Sequence, residues 1–287
     1  MVHVRKNYEV LPLEEALSLL NAGTLPGKTV SITFDDGYRE LMDGAFHILR
    51  DLHLPATVFL VAGHVGTDLP FWWEEVAFRL KQLNKRVLTE FLRTNDLQIS
   101  AGRSDWIHKI IDALKGISAN LRDKCVGNLR ELTGEICLPR MSLTWEEARI
   151  AQSWGISFGS HSMTHPILTR LDDEALKQEI QLSRDVIESM TGGCHLLAYP
   201  NGDHDDRVRA AVQRAGYRWA VTMERGRNEA GTNPLALRRH PVYAHYSVPL
   251  FAAILRGWLD LPPWVLRLVN DVRDHKIWLS MSPNRMI

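Results

Sequence analysis

Thr29-Val30-Ser31-Ile32-Thr33-Phe34-Asp35-Asp36-Gly37, residues 29–37, decides how the chain is read: an apolar, β-branched run breaks off at two adjacent carboxylates and a glycine. Such residues favour extended backbone, and glycine punctuates it. A helical spacing follows at Leu41, Ala45, Ile48, Leu49 and Leu52. Pro55 restarts the chain, and Ala56-Thr57-Val58-Phe59-Leu60-Val61 reads as a second buried strand ending at Gly63. This is one β-α-β unit, the building block of a parallel sheet.

The same rhythm returns downstream. Thr144 starts a helix with Glu147 at the capping-box position, and Ile156 to Ser160 is the next strand. A helix from about Asp172 to Met190 precedes the strand Leu196 to Tyr199, and a helix from Asp205 to Ala215 precedes Trp219 to Thr222. Leu237 to Tyr243 reads as a last strand. Between about 68 and 139 the pattern is helical only, with Trp72, Trp73, Val76, Leu80 and Leu83 at helical spacing. A helical tail over about 247–287 covers Pro249 to Leu259 and Pro263 to Asp274, with Trp258 and Trp264 as packing residues. The economical architecture is one α/β domain over 1–287, a distorted β/α barrel of six to seven strands with a helical insertion.

Bulk properties narrow the chemistry. The 34 basic and 34 acidic side chains cancel, so no general field attracts nucleic acid or an anionic membrane surface. Cys125, Cys137 and Cys194 form no C-x2-C pair and are odd in number, so any metal is held by nitrogen and oxygen. Met1 to Leu20 carries Arg5, Lys6, Glu9, Glu14 and Glu15 and does not read as a secretion leader. No run reaches the ~20 apolar residues that span a bilayer. As written the chain reads as cytoplasmic, an expectation conditional on its true start, and nothing in it speaks to oligomeric state.

Three Asp-Asp pairs occur, and position separates them. Asp172-Asp173 and Asp205-Asp206 stand where helices begin and complement the helix dipole. Asp35-Asp36 follows an apolar strand directly, at the carboxyl end where β/α barrels keep their active sites. Adjacent carboxylates there repel unless a cation or shared proton relieves them; a plain capping role is the alternative. With 12 histidines in 287 residues, chance supplies roughly 0.5 His-x3-His pairs. His161 and His165 leave a strand, however, and Pro166 disfavours helix at His165. Imidazole plus carboxylate suits zinc or a similar first-row ion, although an ordinary hydrogen-bonded loop fits the same residues. At a third strand end, Tyr199-Pro200-Asn201-Gly202 is either a plain turn or one whose backbone N–H groups face an oxyanion.

Together these segments resemble the polysaccharide deacetylase family, carbohydrate esterases with a chitooligosaccharide deacetylase homology domain. Thr33-Phe34-Asp35-Asp36-Gly37 is similar to its first motif, His161-Ser162-Met163-Thr164-His165-Pro166 to its second, and Tyr199-Pro200-Asn201-Gly202 to a variant of its third. Pro55 to Phe59 and Leu143-Thr144-Trp145 also fit, and the likeness covers roughly Leu11 to Val65 and Met141 to Tyr243. The resemblance implies a divalent ion, Zn2+ first and Co2+ or another first-row ion as alternatives, held by Asp36, His161 and His165. It implies Asp35 as the base in hydrolysis of an N-acetyl amide, a carbon–nitrogen non-peptide bond, with an oxyanion held near Asn201 and Tyr199. The implied partner is an N-acetylated oligo- or polysaccharide, such as one made for the cell envelope.

The chain departs from the family in three places. Where the third motif begins with an arginine that orients the aspartate, Ala198 stands here, and Arg239 is the candidate replacement from another strand. His240 is the candidate for a late general-acid histidine or is an ordinary barrel histidine, since its surroundings do not match that motif. A strand and a Tyr-His-type segment usually precede the region matched here, so absence of the first strand is expected as one possibility. Trp72 and Trp73 either stack on sugar rings or pack a core. Two other functions stay open: hydrolysis of a different small amide or ester at the same site, and a catalytically inactive carbohydrate-binding barrel.

Overall fold

The computed structural model describes residues 1–99 and 106–257. They form two compact units, residues 1–67 with 142–257, and residues 68–141.

The first unit begins with α1 (Val2–Asn7), β1 (Glu9–Val10) and α2 (Leu13–Asn21). The run expected as one strand is two: β2 (Thr29–Val30) pairs in parallel with β1, and β3 (Thr33–Phe34) opens the main sheet. Ser31 marks the break, its hydroxyl donating to the Leu11 carbonyl instead of continuing one ladder. A short strand therefore does precede the first motif. After α3 (Glu40–Asp43) and α4 (Ala45–Asp51), β4 (Ala56–Leu60) is buried along its whole length.

The second unit consists, among the described residues, of α5 (Trp72–Gln82), α6 (Lys85–Thr94), α7 (Trp106–Gly116) and α8 (Ala119–Thr133), with no strand. Val76, Leu80, Phe91, Ile110, Leu114 and Leu129 fill its core. Within that core Glu75 is held by Arg79 at 2.7 Å and by Arg130 at 2.7 Å. Burial alone would raise its pKa; the two guanidiniums outweigh that and keep it below the ordinary value.

The first unit resumes with α9 (Trp145–Ser153), whose Thr144–Glu147 capping box is formed. Then come β5 (Ile156–Ser160), α10 (Asp173–Thr191), β6 (Leu196–Ala198), α11 (Asp206–Arg214), β7 (Trp219–Val221) and α12 (Val248–Leu255). Asp172 and Asp205 cap α10 and α11 through their side chains, the structural role their positions suggest. The strand expected over Leu237 to Tyr243 reduces to one parallel bridge between Leu237 and Val221. Pro241 has no N–H to extend the ladder, and the backbone turns where the Tyr246 N–H reaches the Tyr243 carbonyl. Trp258, Trp264 and the rest of the expected tail lie outside the described residues.

β3, β4, β5, β6 and β7 pair in that order, all parallel, as a curled half-barrel. Period-two alternation sorts its side chains between two faces. Val58, Leu60, Phe158, Leu197 and Ala220 join the core that includes Leu49, Ala151, Ile180 and Val212 from the helices. Phe59, Leu196, Ala198, Trp219, Val221 and Leu237 form the opposite face, closed by Leu17 of α2. Gly159 makes room there, since a Cβ would meet the Phe59 ring and the Leu196 carbonyl at 2.9 Å. Among the described residues no helix is long and apolar enough to cross a membrane, and the three cysteines are unpaired.

Candidate active site

Asp35, Asp36, His161 and His165 each stand where a strand runs out at its carboxyl end. Alternation along β3 puts Thr33 and Asp35 on one face, and Phe34 against the helical core. The next two residues turn sharply: Asp36 has φ +67° and Gly37 φ +72°. Glycine is required at 37, because a Cβ would lie 2.5 Å from Leu60 Cδ2. The Leu143 N–H to Gly37 carbonyl bond, 3.0 Å, and the Tyr38–Ser142 bridge tie the turn down.

At the end of β5, the His161 N–H reaches the Leu60 carbonyl at 2.7 Å and prolongs the pairing with β4. Ala62 and Gly63 then donate to the Ser162 and Met163 carbonyls at 3.1 and 2.9 Å. That close approach needs Gly63, where a Cβ would sit 2.7 Å from the Met163 oxygen. Ser162 (φ +64°) and His165 (φ +60°) are both left-handed. Left-handed non-glycine residues cost about 1–3 kcal/mol each and persist where their surroundings over-determine them. Asp36, Ser162, His165 and Asn201 (φ +57°) all fall in the strand-end loops.

The structure brings Asp36, His161 and His165 together, with one ligand atom of each within 4.8 Å of the others. Both imidazole Nε2 atoms lie 3.6 Å from Asp36 Oδ1, too far for hydrogen bonds. Ligands about 2.0–2.1 Å from a tetrahedral ion stand roughly 3.4 Å apart, so this spacing suits donors sharing one cation. His161 Nδ1 is 2.8 Å from the Ala198 carbonyl. A carbonyl only accepts, so Nδ1 carries the hydrogen and Nε2 presents its lone pair toward Asp36 and His165. The donor set therefore fits a first-row divalent ion.

Asp35 sits in a fork of its own. Arg239 Nη1 and Nη2 donate to its two carboxylate oxygens at 2.7 and 2.6 Å. The guanidinium is itself fixed by Nε donating to the Thr222 carbonyl at 2.9 Å, and it lies 5.6 Å above the Phe59 ring. Thus the strand carrying Ala198 supplies no arginine, and the segment beyond β7 does. Burial alone would raise the Asp35 pKa; the electrostatic influence of His161, of the Arg239 guanidinium with its hydrogen bonds, and of His165 outweighs it and holds the carboxyl below its ordinary value.

The remaining candidates are placed differently. The Tyr199 side chain belongs to the core: it is fully buried and its hydroxyl donates to the Leu235 carbonyl at 2.9 Å. Its backbone N–H donates to the Val221 carbonyl at 3.1 Å and its carbonyl accepts the Gly202 N–H at 2.8 Å, which shapes the turn. Asn201 is exposed in that turn, where a Cβ on Gly202 would meet Met223 at 2.6 Å. His240 is half-buried immediately after Arg239. In the helical unit, Trp72 packs partly buried against the core beneath the Arg122 guanidinium at 4.9 Å, and Trp73 stacks on the buried Phe71 at 4.9 Å. Sequence reading missed Glu179, which accepts three hydrogen bonds from the His161–His165 loop.

Residues 22–220 match the family described as polysaccharide deacetylase, which is more than half of the chain. The chain belongs to the polysaccharide deacetylase family. Among curated relatives, the poly-beta-1,6-N-acetyl-D-glucosamine N-deacetylase of Staphylococcus aureus is 26% identical over 199 residues, 68% of this chain and 66% of that protein. The chain thus spans just under two thirds of that relative. The Staphylococcus epidermidis enzyme of the same name is 39% identical over 57 residues, 20% of each chain. Two solved structures share the fold. A Streptococcus pyogenes deacetylase in complex with acetate gives a TM-score of 0.59 at 19% identity, covering 88% of this chain and 82% of that one. IcaB from Ammonifex degensii gives 0.56 at 18% identity, covering 89% and 86%. The deacetylase motifs read from the sequence thus fall within a family match that also takes in the helical unit.

Proposed function

We propose that this protein is a metal-dependent N-deacetylase of N-acetylhexosamine-containing oligo- or polysaccharides, hydrolysing the amide to a free amine and acetate. One observation carries the reading: Asp36 from the end of β3 and His161 and His165 from the end of β5 converge while the adjacent Asp35 is held in an arginine fork. A module that only bound sugar would need no second carboxylate held ionised beside a ligand set. The substrate class is supported by the staphylococcal relatives, which are N-deacetylases of a β-1,6-linked N-acetylglucosamine polymer by name.

Asp36, His161 and His165 would hold the ion, Zn2+ being the best match to their nitrogen and oxygen donors. Bound there, it supplies Lewis acidity for amide hydrolysis. Asp35 takes the proton of the attacking water, and Arg239 keeps that carboxylate ionised and aimed by gripping both its oxygens. The Asn201 backbone N–H is the donor to the oxyanion that develops on the acetyl carbonyl. His240 is the proton donor to the leaving nitrogen in this scheme.

The test is acetate release from N-acetylglucosamine oligomers by protein stripped of metal and reloaded with Zn2+ or Co2+. Release that appears on reloading supports the reading. Failure of the natural protein to bind either ion removes it. A sharper expectation concerns Arg239→Lys. Lysine keeps the charge but cannot present two parallel N–H groups to one carboxylate. We expect kcat to fall on the order of 10²-fold with metal content unchanged, because loss of aim alone costs about that much. Steady-state kinetics with metal analysis of the same sample checks it.

A further inference from the structure

Resting on the metal-site reading above, we infer that Glu179 of α10 is a positioning residue that sets the spacing of the His161 and His165 imidazoles and so tunes metal affinity. Its Oε2 accepts the Met163 and Thr164 N–H groups, both at 2.9 Å, and its Oε1 accepts the Thr164 hydroxyl at 2.6 Å. These are two of the three residues between the histidines. One side chain thus accepts two backbone N–H groups and a hydroxyl and holds the crown of the loop.

The loop needs that hold. Ser162 and His165 bracket the crown in left-handed conformations that a free chain leaves readily. Inside the loop, the His165 N–H bonds the Ser162 hydroxyl at 3.0 Å, a contact that exists only while both residues keep their turns. One helical turn beyond Glu179, Ser183 accepts from the Ser160 hydroxyl at 2.8 Å, and Ser160 accepts the Ser162 N–H at 3.1 Å. α10 thus grips the loop at its base through buried hydroxyls and at its crown through Glu179. Both Glu179 oxygens are engaged by loop donors, so it serves as a support and not as a fourth ligand.

The crown is only partly buried, with Thr164 exposed, so water can replace the carboxylate at the freed N–H groups. Removing Glu179 should therefore spare the fold while relaxing the histidines. The experiment measures Zn2+ dissociation constants by competition with a chromophoric chelator, Co2+ visible spectra and apoprotein melting for the natural protein, Glu179→Ala, Glu179→Asp and Glu179→Gln. Glu179→Ala is expected to bind Zn2+ about 10- to 100-fold more weakly, as outer supports of metal ligands typically do, with altered Co2+ bands and near-natural melting. Glu179→Asp, one methylene short, should follow it. Glu179→Gln should stay near natural, because its amide oxygen accepts both N–H groups and its NH2 donates to Thr164 Oγ1.

Natural affinity and spectra in Glu179→Ala overturn the inference. So does Glu179→Gln behaving like Glu179→Ala, since charge and not positioning would then be at work. Should Glu179→Ala fail to fold, the aspartate and glutamine variants decide the matter by the same two readouts. No metal bound by the natural protein would remove the metal site itself, a result distinct from an unaltered variant.

Discussion

Asp35→Asn is expected to leave metal binding intact and to lower acetate release by about 10²- to 10⁴-fold, the range that general-base catalysis contributes. Asparagine is nearly isosteric with aspartate, so the β3 turn, the left-handed Asp36 and the spacing of the three metal donors have no steric reason to change. What changes is chemical. The amide cannot take a proton from water, and the Arg239 fork, now 2.7 and 2.6 Å from two carboxylate oxygens, would meet one acceptor and one donor. kcat should therefore carry the loss, while a stoichiometric metal content shows that the site is still built. Turnover equal to that of the natural protein would strip Asp35 of the base role and leave the metal trio untouched.

How far the sequence speaks differs by residue, and the differences have physical causes. Asp36, His161 and His165 could be picked out because each follows the end of an apolar strand, and a parallel sheet puts all such ends on one side. Ala198 was legible as a gap, and Arg239 as a basic residue near another strand end; the sequence could not say that its guanidinium reaches Asp35, which depends on Phe59 and the Thr222 carbonyl as its seat. The division of residues 29–34 was invisible because Ser31 and Ile32 suit a continuous strand as well as a break. Tyr199 misled for a related reason: its motif position suggests the site, whereas strand alternation turns its ring into the helical core. Glu179 lay beyond reach altogether. It is 14 residues past His165 on a helix whose facing is fixed by buried Leu176, Ile180, Ser183 and Ile187, and only packing shows that its remaining face overhangs the loop.

His161→Ala should have the largest effect of any single change, abolishing measurable metal binding and acetate release together. The three donors are unequal in burial. His161 is 3% exposed against 10% for the His165 side chain, and its Nδ1 is tied to the Ala198 carbonyl on the neighbouring strand. Its removal leaves two donors and a hole beside Ala198. The measurement need not depend on turnover. A ligand that binds only the folded state stabilises it by about 2.7 kcal/mol at a hundred times its dissociation constant, so the natural protein should melt higher with excess Zn2+. His161→Ala should melt at one temperature with and without the ion, and its apoprotein should stay close to the natural apoprotein, because the ring lies at the end of β5 and outside the apolar clusters. A zinc-dependent rise of equal size in the variant would mean that the ion binds elsewhere, and the assignment of all three ligands would fall with it.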